Sequence, residues 1–503
     1  MEENAIVFEN INKYYDSSNV QACNNVSFAI KKGKINAICG ENGAGKSTLM
    51  NILFGLETAD DGKIIINNKE THFSSPKHAI SHGIGMVHQH FMLVKSYTVE
   101  QNILLGIESK FFTNKNANRK YVLDLAKKYS LPIDPDRIVE TLDVGLMQRV
   151  EILKMLARDI STLILDEPTA VLTPTEVKPF LETLKKLAKM GTTIIFISHK
   201  LQEVLEVSDN IVVMRKGHVV GQTLAKDTDM NSLADMMVGR KVLLKIDKEE
   251  PNFKDTVLSL KNVCMNNIMG SEVLHNVSFD VRAGEIYGIA GVSGNGQESL
   301  VAGIVGLGHF SKGEIIYLGQ NLNKQSIKER KDLGIGHVPQ DRINGGLNIL
   351  ANVEENVLIG LQNKPEFNSH HLINSEKINN LSKSIINDYH VAGASPKGIV
   401  KKLSGGNMQK IVLGREISQN PKLLIIDQPT RGLDVGSIEF VYHTVLECRK
   451  QNVAILLISV EIEELMTLSD KIGVMCGGNL QGELIGSDIN EHNIGILMAG
   501  GKI

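Results

Sequence analysis

The sequence has few cysteines and lacks any long apolar run. Its five cysteines are scattered, without the paired spacing of a zinc site or a disulfide framework: Cys23, Cys39, Cys264, Cys448 and Cys476. No stretch approaches the roughly 18 to 20 apolar residues that a membrane-spanning helix needs. The first residues are acidic and lack the basic and apolar segments of a signal peptide. We therefore expect reduced thiols in a cytosolic setting, and any membrane role to come through a partner.

The chain also lacks a strong excess of either charge. Its formal net charge is −3 at pH 7, which gives no global reason to expect nucleic-acid binding. The apolar content of 42% and the charged content of 22% are ordinary for a soluble globular protein. At 503 residues the chain is too long for one hydrophobic core and suggests roughly two to four domains.

What is present is a complete phosphate-binding loop. The pattern G-x-x-x-x-G-K-[ST] is matched at every fixed position by Gly40-Glu41-Asn42-Gly43-Ala44-Gly45-Lys46-Ser47. A short apolar strand candidate precedes this loop, and a helical pattern that begins at Thr48 follows it. The glycines allow backbone N–H groups to form a concave anion site at the helix N-terminus. Lys46 can then reach the terminal phosphates of a nucleotide, and the Ser47 hydroxyl can bind Mg²⁺.

The chain repeats itself once. A loop resembling the first one begins at Gly291, which lies 251 residues after Gly40. Further along, the offset is 261, which carries Asp166 onto Asp427, so about ten residues are inserted in the middle of the second copy. We predict a first domain at residues 1–245, a short charged linker at 246–255 and a second domain at 256–503.

Each copy is predicted to be an α/β domain. Short runs rich in valine and isoleucine alternate with helical patterns, which favours a mixed sheet with helices on its faces. Strand signals disappear near residues 110–160 and 365–420, where helical patterns dominate. The fold class predicted from these patterns is therefore two tandem P-loop NTPase domains, each with a sheet core and a helical subdomain.

Candidate catalytic residues follow the apolar strands of the first copy. The strand at 162–165 ends in Asp166, which would bind Mg²⁺, and in Glu167, which would polarise the attacking water. Gln89 follows another apolar run, and its neutral amide could bridge Mg²⁺ and water. His199 ends a third strand, where it could hydrogen-bond the γ-phosphate. Each of these residues is a weak signal alone, and their order along one chain is what makes the set specific.

Taken together, these motifs resemble those of the ATP-binding-cassette (ABC) ATPases over both copies. In that family two cassettes bind two ATP molecules head to tail, each between the phosphate loop of one cassette and the signature of the other. The resemblance implies ATP and Mg²⁺ as ligands, with Ser404, Gly405 and Gly406 of the second copy as the signature that contacts ATP. It also implies that Tyr15 stacks on adenine, with Tyr14 as the alternative.

The second copy departs from the family pattern at its own nucleotide site. The loop lysine is replaced by Gln297, the Mg²⁺-binding hydroxyl by Glu298 and the catalytic carboxylate by Gln428. Val460 stands at the histidine position, and Asn267 at the position of the adenine-stacking residue. The added negative charge would be worth roughly 4 kcal/mol at ~4 Å and an effective dielectric of ~20. We expect this site not to hydrolyse ATP.

The signature motif, in contrast, is kept in the second copy and changed in the first. The second copy keeps Ser404-Gly405-Gly406, whereas the first copy has Asp143-Val144-Gly145. An acidic Asp143 would repel phosphate, and Val144 prevents the close backbone approach that glycine permits. Head-to-tail pairing then leaves one complete site and one degenerate site, and we expect only the complete site to hydrolyse ATP.

The resemblance is strongest to the fused ATPase subunits of nucleoside and simple-sugar importers. The stretch at residues 88–94 is more similar to the nucleoside branch than to the ribose or galactose branch. The resemblance implies two integral-membrane permease subunits, an extracytoplasmic substrate-binding protein and a location at the cytoplasmic face of the cell membrane. The alternatives are import of simple sugars and, from another class, a soluble tandem-cassette translation factor acting on ribosomes. DNA-repair cassettes and exporters fit less well.

Overall fold

A computed structural model describes most of the chain. The described residues are 3–16, 20–66, 68–88, 91–107, 115–169, 172, 174–241, 248–249, 253–267, 269–292, 294–369 and 372–503. They form two compact units, which we call the first unit (Met1–Leu243 with Asp434–Gly436) and the second unit (Leu244–Leu433 with Ser437–Ile503). Within the described part of the chain, no helix is long and apolar enough to cross a membrane.

The first unit alternates strands and helices along the chain. Its strands are β1 (Asn4–Tyr15), β2 (Val20–Lys31), β3 (Ile35–Cys39), β4 (Asp61–Ile66), β5 (Lys69–Thr71), β6 (Ile84–Val87), β7 (Thr162–Asp166), β8 (Thr193–Ile197), β9 (Asn210–Arg215) and β10 (His218–Leu224). Its helices are α1 (Lys46–Leu53), α2 (Pro76–Ser81), α3 (Val99–Leu104), α4 (Lys115–Lys128), α5 (Val144–Leu156), α6 (Pro174–Lys189), α7 (Leu201–Val207) and α8 (Met230–Val238).

Two sheets build the first unit. Strands β6 to β10 join β3 in a sheet of order β10-β9-β3-β8-β7-β6, in which every neighbouring pair is parallel except β9 with β10. Strands β3 and β8 are buried at every residue and, apart from Asn36 and Thr193, apolar, as is usual when both faces of a parallel sheet are covered. An antiparallel sheet of order β2-β1-β4-β5 packs against α1, with Phe8, Leu49 and Met50 in the shared core.

The second unit repeats this architecture. Its strands are β11 (Thr256–Asn266), β12 (Glu272–Arg282), β13 (Ile286–Ala290), β14 (Lys312–Tyr317), β15 (Gln320–Asn321), β16 (Ile335–Val338), β17 (Asn368–Ser369), β18 (Leu372–Ile373), β19 (Leu423–Asp427), β20 (Ala454–Ser459), β21 (Lys471–Cys476) and β22 (Asn479–Ile485). Its helices are α9 (Gln297–Val305), α10 (Ile327–Asp332), α11 (Val353–Leu358), α12 (Ser375–Asp388), α13 (Gly405–Ile417), α14 (Val435–Lys450), α15 (Ile462–Leu468) and α16 (Glu491–Met498). The sheet orders, β16-β19-β20-β13-β21-β22 and β12-β11-β14-β15, match those of the first unit strand for strand.

The structure confirms the predicted fold class, with one local difference. Helices α4 and α5, and likewise α12 and α13, occupy the two regions predicted to be helical. Within the second of these regions, however, β17 and β18 pair as a two-stranded hairpin. The hairpin lies in the part of the second copy where the ten or so extra residues are inserted. Strands of two residues leave no recognisable periodicity in a sequence, so the prediction missed them.

A buried ion cluster distinguishes the second unit from the first. Arg449 of α14 donates through Nε and Nη2 to the two carboxylate oxygens of Asp470, both at 2.9 Å. Lys248 lies 3.1 Å from the same carboxylate, which also accepts the backbone N–H of Ile286 at 2.9 Å. Arg449 and Asp470 are almost fully buried. In the first unit the corresponding Asp209 also accepts a backbone N–H, from Ile35 at 2.9 Å, but its charged partner is the half-exposed Lys34 at 3.7 Å.

We expect Arg449→Met to destabilise the second unit by about 3–5 kcal/mol, because it leaves the carboxylate of Asp470 buried with only part of its compensation. Lys34→Met, the matched change beside Asp209, should cost no more than about 1 kcal/mol. Urea denaturation of both variants measures these differences. The double variant Arg449→Met/Asp470→Asn should recover part of the loss, and equal stability of the Arg449 and Lys34 variants would contradict this account.

Candidate functional site: two phosphate loops with different side chains

The phosphate loop of the first unit connects β3 to α1. Gly43 and Gly45 have φ values of 82° and 98°, a region that glycine enters without steric cost. A Cβ at Gly45 would lie 2.0 Å from the carbonyl oxygen of Ala22, so no other residue fits there. Helix α1 begins without a side-chain cap, which leaves its first N–H groups available for an anion.

Lys46 lies inside this loop. Its Nζ donates hydrogen bonds to the carbonyl oxygens of Gly40 and Glu41, at 2.7 and 2.9 Å. The side chain is 5% exposed, and burial lowers its pKa. The other loop residues differ in their exposure: Glu41 and Thr48 are half-buried, Asn42, Gly43 and Ser47 are exposed, and Ala44 is buried. A cation held by two carbonyl dipoles can exchange them for phosphate oxygens.

Two carboxylates lie beside the loop, at the carboxyl end of β7. Ser47 Oγ donates to Asp166 Oδ1 at 3.4 Å, and burial, together with the adjacent negative charge of Glu167, raises the pKa of Asp166. Glu167 has φ 47°, and its N–H donates to the carbonyl of Ile197 on the neighbouring strand β8. The turn thereby holds Glu167 against the end of that strand.

His199 contacts Glu167 from the end of β8. His199 Nδ1 lies 3.0 Å from Glu167 Oε1. Burial alone would raise the pKa of Glu167, but the hydrogen bond from His199 and the charges of His199 and Lys46 hold that pKa below its usual value. Glu167 is therefore a carboxylate at neutral pH, capable of accepting a proton or a hydrogen bond from water.

The structure thus brings together five of the candidate residues: Lys46, Ser47, Asp166, Glu167 and His199. Tyr15 ends β1, half-buried, with Lys13 Nζ 5.5 Å from its ring centroid. Its strand partner is Val20 on β2, the strand that also contacts the phosphate loop through Ala22. Gln89 lies outside the described residues, and its role stays a prediction.

At the described residues of its own loop, the second unit keeps the same backbone. Gly296 has φ 103°, close to that of Gly45, and Gln428 has φ 46°, close to that of Glu167. The N–H of Gln428 donates to the carbonyl of Ile458, as that of Glu167 does to Ile197. The conformation that presents a nucleotide site is therefore kept, although the side chains that would act there are not.

The side chains of this second site form an acidic cleft without a lysine. Gln297 lies where Lys46 lies in the first unit, and its Nε2 donates to the carbonyl of Val292 at 3.2 Å. Burial, together with the negative charge of Glu298, raises the pKa of Asp427 from 3.8 to about 7. Gln428 and Val460 also line the cleft. Two acidic side chains, with no lysine among the described residues that line the cleft, disfavour a phosphate chain there.

The raised pKa predicts a pH-dependent stability. The folded protein retains a proton on Asp427 that the unfolded chain loses, so stability falls as pH rises from the ordinary aspartate pKa to about 7. We expect Asp427→Asn to raise the free energy of unfolding by on the order of 2–4 kcal/mol near pH 8 and by little near pH 4. Chemical denaturation at both pH values tests this.

Glu298→Ser serves as the companion variant, because it removes the neighbouring charge that contributes to the shift. Glu298→Ser should show part of the increase in the free energy of unfolding that Asp427→Asn shows near pH 8. An equal effect of Asp427→Asn at both pH values would show that Asp427 titrates normally.

The two signature segments differ in charge but fold alike. In the second unit Ser404 caps α13, and its Oγ accepts from the backbone N–H and the side-chain amide of Asn407. In the first unit Asp143 caps α5 in the same way, and its Oδ1 accepts from the N–H of Leu146 at 2.7 Å. Serine and aspartate are both good N-caps. The substitution therefore preserves the helix while it places a negative charge at the helix start.

Some contacts at these sites could not be read from the sequence. Gln148 donates to the carbonyl of Pro168 at 2.6 Å, and Thr169 donates to Glu203. In the second unit, Arg342 donates to the carbonyl of Arg431, and its guanidinium would clash with any Cβ at Gly405. These residues stand far apart in the chain, and none belongs to a motif that signals its role.

The chain is similar to known proteins along nearly its whole length. The family model described as ABC transporter matches residues 23–170 and 274–431. The nucleoside import ATP-binding protein NupA of Lactococcus lactis is 42% identical, over 95% of each chain. The guanosine import ATP-binding protein NupO of Bacillus subtilis is 41% identical, over 99% of this chain and 98% of that protein. The ribose import ATP-binding protein RbsA of Bacillus subtilis is 36% identical, over 96% of this chain and 97% of that protein.

A match that covers both units agrees with the duplicated fold and with the two phosphate loops described above. The chain therefore belongs to the ABC transporter family, in which it is an ATP-binding protein with ATPase activity.

Proposed function

We propose that the protein hydrolyses ATP at the phosphate loop of the first unit and that this reaction drives uptake of nucleosides through partner permeases. The observation that carries the proposal is that two loops with matching backbones have different side chains around them. Lys46, Asp166, Glu167 and His199 surround the first loop, whereas Gln297, Glu298, Gln428 and Val460 stand at the second.

Each residue of the first site has a step to perform. Lys46 exchanges its two carbonyl partners for phosphate oxygens of ATP. The uncapped N–H groups at the start of α1 also bind phosphate oxygens. Glu167, kept ionised by His199 and Lys46, accepts a hydrogen bond from the attacking water and orients it toward the γ-phosphate. His199 holds that carboxylate in place. Tyr15 stacks on the adenine.

The residues also fit a magnesium ion. The half-buried Asp166, whose pKa is raised by partial burial and by the charge of Glu167, and the Ser47 hydroxyl 3.4 Å from it present the oxygen donors that Mg²⁺ prefers. We propose that Ser47 and Asp166 hold this ion, together with Gln89. When bound, Mg²⁺ neutralises charge on the phosphates.

We further propose that the signature Ser404-Gly405-Gly406 serves the ATP bound by the first loop. This assignment rests on sequence: the losses in the chain fall on one loop and on the opposite signature. Ser404 would offer its hydroxyl, and the glycines their N–H groups, to the γ-phosphate. The degenerate site would then combine Gln297 with Asp143 and remain catalytically silent.

The nucleoside assignment rests on similarity. The two relatives named for nucleoside or guanosine import share 42% and 41% identity with this chain, against 36% for the ribose importer. By the same likeness, we propose that two integral-membrane permeases and an extracytoplasmic substrate-binding protein complete the complex. The chain would then act at the cytoplasmic face of the membrane and associate with it only through the permeases.

Uptake by cells that lack the chain tests the substrate. Labelled guanosine should enter cells complemented with the wild-type chain and should not enter those complemented with Glu167→Gln, while labelled ribose uptake stays unchanged in both. Loss of ribose uptake with normal guanosine uptake would favour the sugar alternative. The proposal also predicts that the chain associates with membranes only when the permeases are co-expressed. If the chain sediments with ribosomes instead, the translation-factor alternative is favoured.

A further inference from the structure

The segment Glu167-Pro168-Thr169, which carries the proposed water-orienting carboxylate, is held at each of its residues. Glu167 is fixed by the carbonyl of Ile197 and by His199. The carbonyl of Pro168 accepts a hydrogen bond from the buried Gln148 at 2.6 Å. Thr169 Oγ1 donates to Glu203 Oε2 at 2.5 Å. The proposed reaction does not by itself require this hydrogen bond between Thr169 and Glu203.

The contact between Thr169 and Glu203 lies in the interior. Thr169 is 2% exposed and Glu203 is 8% exposed, so neither group can turn to solvent. Burial raises the pKa of Glu203, while the charge of Lys200, 3.4 Å away, and the hydrogen bond from Thr169 act in the opposite direction. Loss of this hydrogen bond would leave a buried donor and a buried acceptor without a partner, which is unfavourable. The contact is therefore suited to hold the segment in one position.

Glu203 and His199 belong to one short stretch of chain. His199 follows β8, the N–H of Lys200 donates to Ser198 Oγ at 3.0 Å, and α7 begins at the next residue. Glu203 lies on the first turn of that helix. The stretch thus contacts the segment twice, through His199 to Glu167 and through Glu203 to Thr169.

We propose that Glu203 and Thr169 are positioning residues for ATP hydrolysis, which act by holding Glu167 at a fixed distance from His199. The proposal rests on the proposed function of Glu167. Neither residue touches ATP. Their hydrogen bond fixes the end of the segment that carries the carboxylate, and a displacement of about 1 Å at a reacting group can cost on the order of 100-fold in rate.

The second unit places the same two residue types together, without the carboxylate to position. Glu464 of α15 is 2% exposed and lies close to Thr430, the residue that corresponds to Thr169. Burial raises the pKa of Glu464 to about 7, and Glu461 stands where the first unit has Lys200. Because Gln428 replaces Glu167 there, loss of this contact has no catalytic consequence. Thr430 therefore provides a matched control in the same chain.

The experiment compares Thr169→Val with Thr430→Val in the assembled transport complex. Valine keeps the shape of threonine and removes the hydroxyl. We expect Thr169→Val to lower kcat about 10- to 100-fold, with KM for ATP within about twofold of the wild-type value. Thr430→Val should keep kcat within about twofold, although both variants remove a buried threonine hydroxyl beside a buried carboxyl group.

Two conservative variants separate positioning from general destabilisation. Thr169→Ser keeps the donor and should restore kcat to near the wild-type value. Glu203→Gln keeps an acceptor and should retain more activity than Glu203→Leu. Direct titration with a fluorescent ATP analogue should show unchanged binding to the Thr169→Val complex, which also demonstrates that its ATP site is folded.

Three results would overturn the inference: wild-type kcat in Thr169→Val, equal losses in Thr169→Val and Thr430→Val, or loss of ATP binding together with turnover. Failure of the proposed function is a separate result. If Glu167→Gln itself keeps wild-type turnover, the catalytic assignment fails. If Glu167→Gln is inactive and Thr169→Val is normal, only the positioning role fails.

Discussion

Lys46→Ala and Glu167→Gln each abolish ATP turnover by the assembled complex, with an expected loss of at least about 100-fold in kcat. Lys46 is the cation buried within the complete phosphate loop, and Glu167 is the carboxylate that its surroundings keep ionised. Removal of either leaves the phosphates or the attacking water without its charged partner. Release of phosphate from purified complex, measured at saturating ATP, gives the values directly.

The matched controls are Gln297→Ala and Gln428→Ala. Gln297 donates to a carbonyl of its own loop, and an amide at position 428 cannot act as a base. Both controls should keep kcat within about twofold of the wild-type value, because they change a site that the proposal gives no catalytic part. Comparable losses from both pairs of variants would show that the two loops contribute equally, and the asymmetric model would then be wrong.

Ser404→Asp is the second change with a large expected effect. If the signature of the second unit serves the ATP of the first loop, aspartate there sets a negative charge against the γ-phosphate. At ~4 Å and an effective dielectric of ~20 this repulsion amounts to about 4 kcal/mol, which corresponds to roughly a 1,000-fold loss of turnover. Steady-state ATPase activity of the complex is the measurement.

The fold offers an unusually clean control for this change. Asp143 caps α5 in the first unit as Ser404 caps α13 in the second, so Ser404→Asp should leave α13 capped and the protein folded. Asp143→Ser, the reciprocal change, should keep the wild-type rate within about twofold. If Asp143→Ser alters turnover as much as Ser404→Asp does, the assignment of signatures to loops is reversed or shared.

The sequence predicts the outline of the first site well because its parts follow from local rules. A glycine-rich loop between a strand and a helix directs backbone N–H groups toward the helix N-terminus, which favours an anion there. The proximity of Glu167 and His199 follows from topology, since both lie at the carboxyl ends of the neighbouring parallel strands β7 and β8. The duplicated offsets likewise predict the second unit. These features depend on residues within one motif or on the order of strands.

Other features depend on burial and on contacts between distant segments, which no motif encodes. The raised pKa of Asp427 requires the cleft around it and the exact neighbour Glu298. The Arg449–Asp470 pair joins a helix to the start of a strand, and the Thr169–Glu203 contact joins the end of β7 to α7. The predicted domain boundaries, and the role of Gln89, stay predictions.

The matching φ values at the two loops indicate that a duplicated domain can carry different side chains and keep its fold. Glu167 and Gln428 differ by one degree in φ, and Gly45 and Gly296 by five. The main chain therefore carries the architecture of both copies, whichever side chains stand at the nucleotide site. An exchange of those side chains between the copies would need no change of main-chain conformation at these positions.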